Sequence, residues 1–254
     1  MLALTPLENF PNILPGNDLA GNIIASLTNT NITLNNDDIL VLAQKIISKA
    51  EGRQINLELV KPSQQAIEVG GLCEKDPRII ELVLQESTSV LRVRPGTIIV
   101  EHRLGFVCAN AGIDHSNVTP ENSANENFVL LLPENPGKSA YLLRTKLEAF
   151  FGVRIGIMII DSHGRAWRLG VVGTSIGFTG LPGLVDMRGK PDLFGGKLRI
   201  TQIAVADELA AAASLMMGQA NEGKPVIHVR GFPYPLRNGK LEELIRPHEQ
   251  DMFR

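Results

Sequence analysis

The sequence predicts an α+β fold with mixed, largely antiparallel sheets and flanking helices. Strand-like and helix-like segments follow one another without the regular βαβ alternation of a doubly wound sheet. Residues 94–108 read as an antiparallel hairpin, because Pro95-Gly96 favours a turn and β-branched residues follow it. The 254 residues are 44% hydrophobic and 20% charged, which is enough to bury a sizeable core.

The first part of the chain alternates between helical periodicity and strand-like runs. Asn17 or Asp18 can cap a helix, because each offers a side-chain oxygen to the first free N–H groups. An aliphatic run then predicts a buried strand, and a charged segment at 44–53 follows it directly. The predicted elements here are a turn-rich lead-in at 7–16, helices at 19–27, 62–69 and 77–86, a strand at 37–43 and the hairpin at 94–108.

The second part begins with residues 122–127, whose low hydrophobicity predicts a mobile loop. Leucines then recur at helical spacing, and a short β-branched run follows them. Asp207 and Glu208 open an alanine-rich segment, where the dipole of a helix favours carboxylates. The predicted elements here are strands at 128–132, 153–160, 197–204 and 225–230, and helices at 139–151, 207–217 and 241–253.

Composition argues against several classes of protein. The formal net charge is −2 and aromatic residues make up 5%, so a nucleic-acid partner is not expected. Cys73 and Cys108 form no CxxC pair and are expected to be buried, reduced thiols. Because no signal-peptide pattern and no apolar run of membrane-spanning length are seen, we expect a cytoplasmic protein without a membrane partner.

Two acidic segments follow apolar runs and carry the strongest chemical signal. Residues 110–118 read NAGIDHSNV, and residues 159–165 read IIDSHGR. Asp114 and Asp161 are hard oxygen ligands of the kind that Mg²⁺ and Mn²⁺ prefer, and Ser162 can add a hydroxyl. Two such cations can bridge a nucleotide and stabilise charge on a transferred phosphoryl group. The alternative is that both aspartates only form turns or cap helices.

Three further segments admit a functional and a structural interpretation. Lys49 can reach a phosphate as a point charge, or lie in a solvated turn. The basic loop RGKPDLFG at 188–195 suits an anionic substrate, or is a plain surface loop. The glycines of 170–183 fit neither a P-loop nor a dinucleotide-binding pattern, so close ligand approach and bends in a sheet stay equally open.

Residues 217–225 read as a helix end that runs into a loop. Gly218 is the expected C-cap, which leaves Gln219 and Glu222 free to point at a ligand. The five histidines lack metal-binding spacing such as HExxH, so each is expected to be structural or on the surface.

Seven segments in this order resemble the coenzyme F420-0:L-glutamate ligases, or γ-glutamyl ligases. The resemblance runs from about residue 7 to residue 230, and an ordered set is far more specific than any one motif. The matching segments are SKAEGR at 48–53, NAGID-x-SNV at 110–118, DS-x-GR at 161–165, GVVG at 170–173, RGK-x-DLFG at 188–195, ADELA at 206–210 and MGQA at 217–220.

The resemblance implies a GTP-dependent ligase. Such enzymes join the α-amine of L-glutamate to a carboxylate of the deazaflavin precursor F420-0, and further γ-linked glutamates can follow. The carboxylate is first phosphorylated to an acyl phosphate, and the amine then releases phosphate. Two divalent cations, Mg²⁺ or Mn²⁺, and K⁺ assist. The fold implied is a two-part protomer in an intertwined homodimer, here with a nucleotide-binding part at 1–85 and 186–254 and a central metal and substrate part at 86–185.

The resemblance also assigns roles to particular residues. Asp114 and Asp161 match metal-binding aspartates and form the predicted catalytic set with Lys49. Ser162 and Gln219 match positions at the second cation, where some members carry a glutamate in place of Gln219. The predicted nucleotide-binding residues are Phe10, Pro11, Asn12, Ile13, Gln44, Lys45, Lys49, Asn117, Met217, Gly218, Gln219, Ala220, Asn221, Glu222, Gly223 and Lys224. The predicted substrate contacts are Arg165, Arg188 and Lys190.

Other functions remain open at this point. One is a paralogous amide ligase that uses the same nucleotide and metal apparatus on another phospho-carboxylate. Another is a non-catalytic GTP- or metal-binding protein, because the neutral amide of Gln219 is a weaker ligand than a carboxylate. A deazaflavin oxidoreductase is less favoured, since no dinucleotide pattern or redox cysteine pair occurs.

Overall fold

A computed structural model describes residues 1–116, 118 and 127–252. The helices are α1 (Leu19–Asn29), α2 (Gln44–Ala50), α3 (Gln64–Cys73), α4 (Pro77–Gln85), α5 (Pro136–Phe151) and α6 (Val205–Met217). The strands are β1 (Ala3–Pro6), β2 (Ile39–Ala43), β3 (Gln54–Asn56), β4 (Ser87–Arg94), β5 (Thr97–His102), β6 (Val107–Ala109), β7 (Phe128–Leu130), β8 (Gly156–Arg165), β9 (Arg168–Thr179), β10 (Val185–Asp186), β11 (Gln202–Ile203) and β12 (Val226–Arg230).

The central sheet has five strands in the order β1-β12-β2-β8-β9. The β2–β8 pair is parallel, and the other neighbours in this sheet are antiparallel. A separate sheet of three antiparallel strands has the order β4-β5-β6, and it includes the predicted hairpin. The predicted α+β class with mixed and antiparallel sheets is therefore confirmed.

Helices cover both faces of the central sheet. Successive strand residues point to opposite faces, so Leu40 and Leu42 of β2 pack in the cluster formed with α1 and α5. Ile39 and Val41 pack in the cluster formed with α6. Because both faces are covered, β2 is an unbroken apolar run rather than an alternating one.

The glycine-rich segment is largely strand β9, and its glycines allow helices to pack closely. A Cβ at Gly173 would lie 2.5 Å from the carbonyl oxygen of Ala210 in α6. A Cβ at Gly177 would lie 2.5 Å from the Cβ of Pro136 in α5. Both distances are too short for real side chains, so these two glycines serve packing on the two faces of the sheet.

Two predicted elements are wrong. The predicted strand at 197–204 is reduced to the two residues of β11. The predicted helix at 241–253 is replaced, in its described part, by the short 3-10 turns Leu241–Glu243 and His248–Gln250. Pro247 lies between these turns, and a proline removes a backbone donor and pushes the preceding residue out of helical geometry.

The remaining predicted helices and strands form with ends shifted by a few residues. The additional elements within the described residues are α2, β1, β3, β4, β9 and β10. Asp18 is the N-cap residue of α1, although its side chain makes no capping bond. The predicted loop at 122–127 lies outside the described residues except for Asn127. Cys73 and Cys108 are buried free thiols, as expected.

The division into two parts at residues 85 and 185 stays a prediction, and the central sheet takes strands from both parts. Among the helices of the described residues, none has the length and apolar character needed to cross a membrane.

Candidate functional site

A cavity of about 420 Å³ opens where the parallel pairing of β2 with β8 ends, at Ala43 and Ile160. Because these two strands are parallel, their carboxyl ends meet at the same edge of the sheet, which is a common position for ligand sites. Every predicted nucleotide-binding residue that the structure describes lines this cavity. Asn117 lies outside the described residues. The other lining residues are Ala43, Ile46, Ile160, Asp161, Ser162, Ser214 and Pro225.

One wall of the cavity is α2, which starts without a loop after β2. Ala43 is both the last strand residue and the N-cap of the helix. The buried Ser48 hydroxyl donates to Gln44 Oε1 at 2.8 Å within the helix. Lys45 and Lys49 are four residues apart, so they share one helix face and both reach the cavity. Two ammonium groups on one wall favour an anionic ligand.

The opposite wall is the loop that follows α6. Gly218 ends the helix at a φ of +75°, which confirms the expected C-cap. The Glu222 carboxylate accepts the Ala220 N–H at 2.8 Å and would collide with any side chain at Gly218. This backbone bond is the main cause that holds the pKa of Glu222 below its usual value. The loop is therefore folded on itself beside the cavity.

Asp161 and Ser162 of β8 form part of the cavity floor with two polar side chains of α6 and its loop. The Ser162 hydroxyl donates to Gln219 Oε1 at 3.0 Å. Gln219 Nε2 in turn donates to the Ser214 hydroxyl at 3.0 Å. The amide of Gln219 is thus oriented with its oxygen toward Ser162, beside the carboxylate-bearing strand.

Asp114 does not line the cavity itself but is bound to a residue that does. Lys45 Nζ lies 2.7 Å from Asp114 Oδ2 and donates to the Ser116 hydroxyl at 2.7 Å. Burial acts to raise the pKa of Asp114, but the Lys45 ammonium and the Ser116 N–H and hydroxyl outweigh it and lower that pKa. Asp114 is therefore held as a carboxylate at the edge of the site.

His163 was not predicted as a site residue, yet it lies beside Asp161. Its Nε2 is 3.2 Å from Asp161 Oδ2 and has no hydrogen-bond partner within the described part of the chain. The signal available in the sequence is the two-residue spacing, since residues 161 and 163 of one strand share a face. The His163 ring contacts Phe106, whose ring stacks on that of His102.

The predicted substrate residues lie elsewhere and do not line this cavity. Arg165, near the β8–β9 turn, donates to the Leu169 carbonyl at 3.2 Å. Arg188 makes a bidentate pair with the exposed Asp186, with nitrogen–oxygen distances of 2.9 and 2.5 Å. Lys190 lies in the same loop as Arg188. Their contact with a substrate stays a prediction.

The oxygen atoms that line the cavity are ligands suited to Mg²⁺, and they would fill only part of its coordination sphere. No group of three His, Cys, Asp or Glu side chains suited to a metal occurs within residues 1–116, 118 and 127–252. Asp161 offers a carboxylate, and Ser162 and Gln219 offer neutral oxygens on the same cavity. Mg²⁺ is usually held by one or two carboxylates together with waters and substrate phosphates, rather than by a complete protein cage.

The protein has an α+β fold with a cavity beside the parallel strands β2 and β8. Two lysines of α2 and Asp161 of β8 line this cavity. The family model described as F420-0:Gamma-glutamyl ligase matches residues 8–231. The chain belongs to this family.

Proteins named coenzyme F420:L-glutamate ligase are similar to it over most of their length. The one from Methanothermobacter thermautotrophicus is 43% identical over 255 residues, which covers 100% of this chain and 99% of the relative. The one from Methanopyrus kandleri is 43% identical, covering 98% of this chain and 95% of the relative. The one from Archaeoglobus fulgidus is 39% identical with the same coverage, 98% and 95%.

Proposed function

We propose that this chain is a ligase that joins L-glutamate to F420-0 with consumption of GTP. The observation that carries the proposal is the cavity at the ends of β2 and β8, which brings Lys45, Lys49 and Asp161 together with the loop after α6. The names of the relatives support the acceptor and the amino acid. The lysine pair supports a phosphate-bearing cosubstrate.

The reaction proceeds in two steps. A carboxylate oxygen of F420-0 attacks the γ-phosphorus of GTP, the bond to the bridging oxygen breaks, and GDP leaves. The amine nitrogen of glutamate then attacks the acyl carbon, the carbon–oxygen bond to phosphate breaks, and the nitrogen loses a proton. Lys45 and Lys49 reduce the charge on the phosphates, since ammonium groups in a preorganised site stabilise the developing charge.

Asp114, Asp161, Ser162 and Gln219 are the residues that would hold two divalent cations, Mg²⁺ or Mn²⁺, with K⁺ as a further ion. When bound, such cations neutralise charge on the transferred phosphoryl group. Lys45 pairs with Asp114 and lines the same cavity as Asp161. Both aspartates would therefore lie near the nucleotide bound in that cavity. Addition of more than one glutamate belongs to the same proposal.

The enzyme acts as a homodimer. Support comes from apolar side chains that are almost fully exposed in two hairpin regions. Leu169 at the start of β9 is 98% exposed, and Phe194 in the loop between β10 and β11 is 93% exposed. Large exposed apolar patches mark protein–protein interaction sites, and these two side chains would belong to such a patch in the proposed dimer.

The test is a glutamylation assay with purified protein, F420-0, L-glutamate, GTP and Mn²⁺, read by chromatography and mass spectrometry. We expect a product heavier by one or more glutamyl units, with a loss of at least about 100-fold in kcat for Asp161→Asn, since the variant lacks a charge that stabilises the transition state. Asp37→Asn is the matched control. Asp37 is exposed with a φ of +69°, which asparagine tolerates.

The outcomes separate the competing functions. GTP hydrolysis that depends on glutamate but leaves F420-0 unchanged would assign the chain to another phospho-carboxylate acceptor. GTP binding without turnover on any acceptor would favour a non-catalytic nucleotide-binding protein. Equal activity of Asp161→Asn and Asp37→Asn would remove Asp161 from the reaction.

A further inference from the structure

A second cavity of about 380 Å³ lies between the three-stranded sheet and the C-terminal segment. We call it the C-terminal groove, and its principal walls are Leu91, Phe106, Val107, Leu244, Ile245 and Arg246. Val107 pairs with Glu101 across β5 and β6, and Glu101 Oε1 lies 3.0 Å from His248 Nε2. The C-terminal segment is thus tied across one face of the sheet, while the other face packs on α3 and α4.

The groove adjoins the candidate site through Phe106. The Phe106 ring lies 5.2 Å from the His163 ring, and His163 Nε2 lies 3.2 Å from Asp161 Oδ2. On its other side Phe106 stacks on the buried His102 at 5.2 Å, with 9° between the ring planes. Phe106 is thus packed between two histidines, and one of them, His163, lies beside the Asp161 carboxylate of the first cavity.

The composition of the groove selects a class of ligand. Its volume falls in the range of about 300–1,000 Å³ that is typical of small-molecule sites. Leucine, isoleucine, valine and one phenylalanine face can pack on a flat aromatic system. Arg246 and Asp251 are the charged residues of the lining, and they supply a cation and a carboxylate for the polar edge of such a ring. The first cavity also has apolar residues in its lining, but it carries Lys45, Lys49 and Asp161 as well, and GTP is expected to fill it.

We infer that the C-terminal groove binds the deazaflavin ring system of the acceptor, while the acceptor's carboxylate extends past Phe106 toward Asp161. This inference rests on the proposed function. The carboxylate must meet the γ-phosphate in the first cavity, so the aromatic end of the same molecule needs a separate compartment near it. The groove is such a compartment, and its residue Phe106 contacts His163, which lies beside Asp161.

The test uses the deazaflavin chromophore with its ribityl chain but without phosphate or carboxylate. Its dissociation constant is measured by titrating its own fluorescence with wild-type protein, Val107→Asp and Val90→Asp. We expect Val107→Asp to weaken binding at least about tenfold, because a buried charge against an aromatic ring loses its hydration. Val107 is 39% exposed, so the change need not disturb the core.

Val90→Asp is the matched control, and we expect its affinity to stay within about twofold of wild type. Val90 is 37% exposed in the same sheet and does not line the groove. It pairs with Val100 of the adjacent strand β5. Thermal unfolding and GTP binding of both variants show that each is folded.

Equal chromophore affinity for wild type and Val107→Asp would overturn the groove assignment. So would glutamylation of F420-0 by a wild-type protein that does not bind the chromophore, and in both cases the ligase proposal would survive. Conversion of a dimer to monomers by Val107→Asp would make the groove an interface between copies and would also overturn the assignment. Chromophore binding lost in Val107→Asp, in a protein that glutamylates nothing, would overturn the ligase proposal alone.

Discussion

Gln219 is the residue whose chemistry most affects the proposed cation sites. Its Oε1 accepts a hydrogen bond from the Ser162 hydroxyl, and its Nε2 donates one to the Ser214 hydroxyl. Gln219→Glu places a charge at the same position, and we expect Mn²⁺ to bind about tenfold tighter in the presence of GDP, because cations prefer carboxylate to amide oxygens. Electron paramagnetic resonance of free Mn²⁺ measures the change. Gln202→Glu, at an exposed position of β11, is the control, and equal effects of both variants would contradict the role of Gln219.

Glu86 carries a buried charge that is paired with side chains from two segments of the chain. Arg53 Nη2 donates to it at 2.7 Å, Arg103 Nε at 2.9 Å, and His102 Nε2 lies 3.6 Å away. Burial acts to raise the pKa of Glu86, but His102 and the two guanidinium groups lower it to about 2. The carboxylate therefore stabilises the folded state above its ordinary pKa of 4.5, and this contribution is lost as the pH falls from there toward about 2.

Glu86→Gln is therefore expected to lower the free energy of unfolding by about 3 kcal/mol at pH 7, from the pKa shift to about 2. The deficit should shrink below about pH 4.5, where wild type begins to lose the same contribution. Urea unfolding at several pH values measures it. Glu68→Gln, on the exposed face of α3, should change little. A deficit that is constant from pH 7 to pH 3 would show a packing effect instead.

At the scale of elements, the loop between β10 and β11 carries the predicted substrate residue Arg188. Its guanidinium is already paired with Asp186 on an exposed loop. Arg188→Ala is expected to raise the KM for F420-0 by roughly tenfold with little change in kcat, since loss of a charge-assisted contact weakens ground-state binding. Steady-state kinetics measure both constants. Arg154→Ala, at an exposed site in a separate loop, is the control; an unchanged KM would remove Arg188 from binding.

Elements with strong periodicity or long apolar runs could be predicted from the sequence, and those at edges could not. β2, α5 and α6 bury whole faces, so their patterns are unambiguous. β4 begins Ser-Thr-Ser and alternates half-buried with exposed residues. Its sequence therefore lacks the apolar run that predicts a strand and resembles that of a polar loop. The tail after residue 240 has helical composition, but Pro247 and contacts with the sheet decide its shape.

The candidate site could be predicted only in part for a related reason. Ordered motifs locate the residues of the cavity wall, because each motif is local in the chain. His163 and the Phe106 wall arise from the packing of β6 against β8, which no local pattern records. From the sequence, the glycines of β9 fit either close packing of helices or close approach of a ligand. Only the structure shows that Gly173 and Gly177 lie against α6 and α5.

At the scale of the whole molecule, the proposed homodimer has a direct test. Leu169→Glu with Phe194→Glu is expected to shift the protein toward monomers, because two charges would be buried in an apolar contact. Sedimentation analysis over a concentration series measures the equilibrium. The control is Leu59→Glu with Leu72→Glu, at exposed positions elsewhere on the surface. Dissociation by both pairs, or by neither, would contradict an interface at Leu169 and Phe194.

The direct junction of β2 and α2 has a consequence for how this family can vary in length. Because no loop separates Ala43 from Gln44, the last strand residue fixes the orientation of the helix about its own axis. One inserted residue there would turn every later position of α2 by about 100° and carry Lys45 and Lys49 off the cavity. Deletions would do the same in the opposite sense. The chain can therefore exchange residues around this junction, but homologues that keep the site must keep its length.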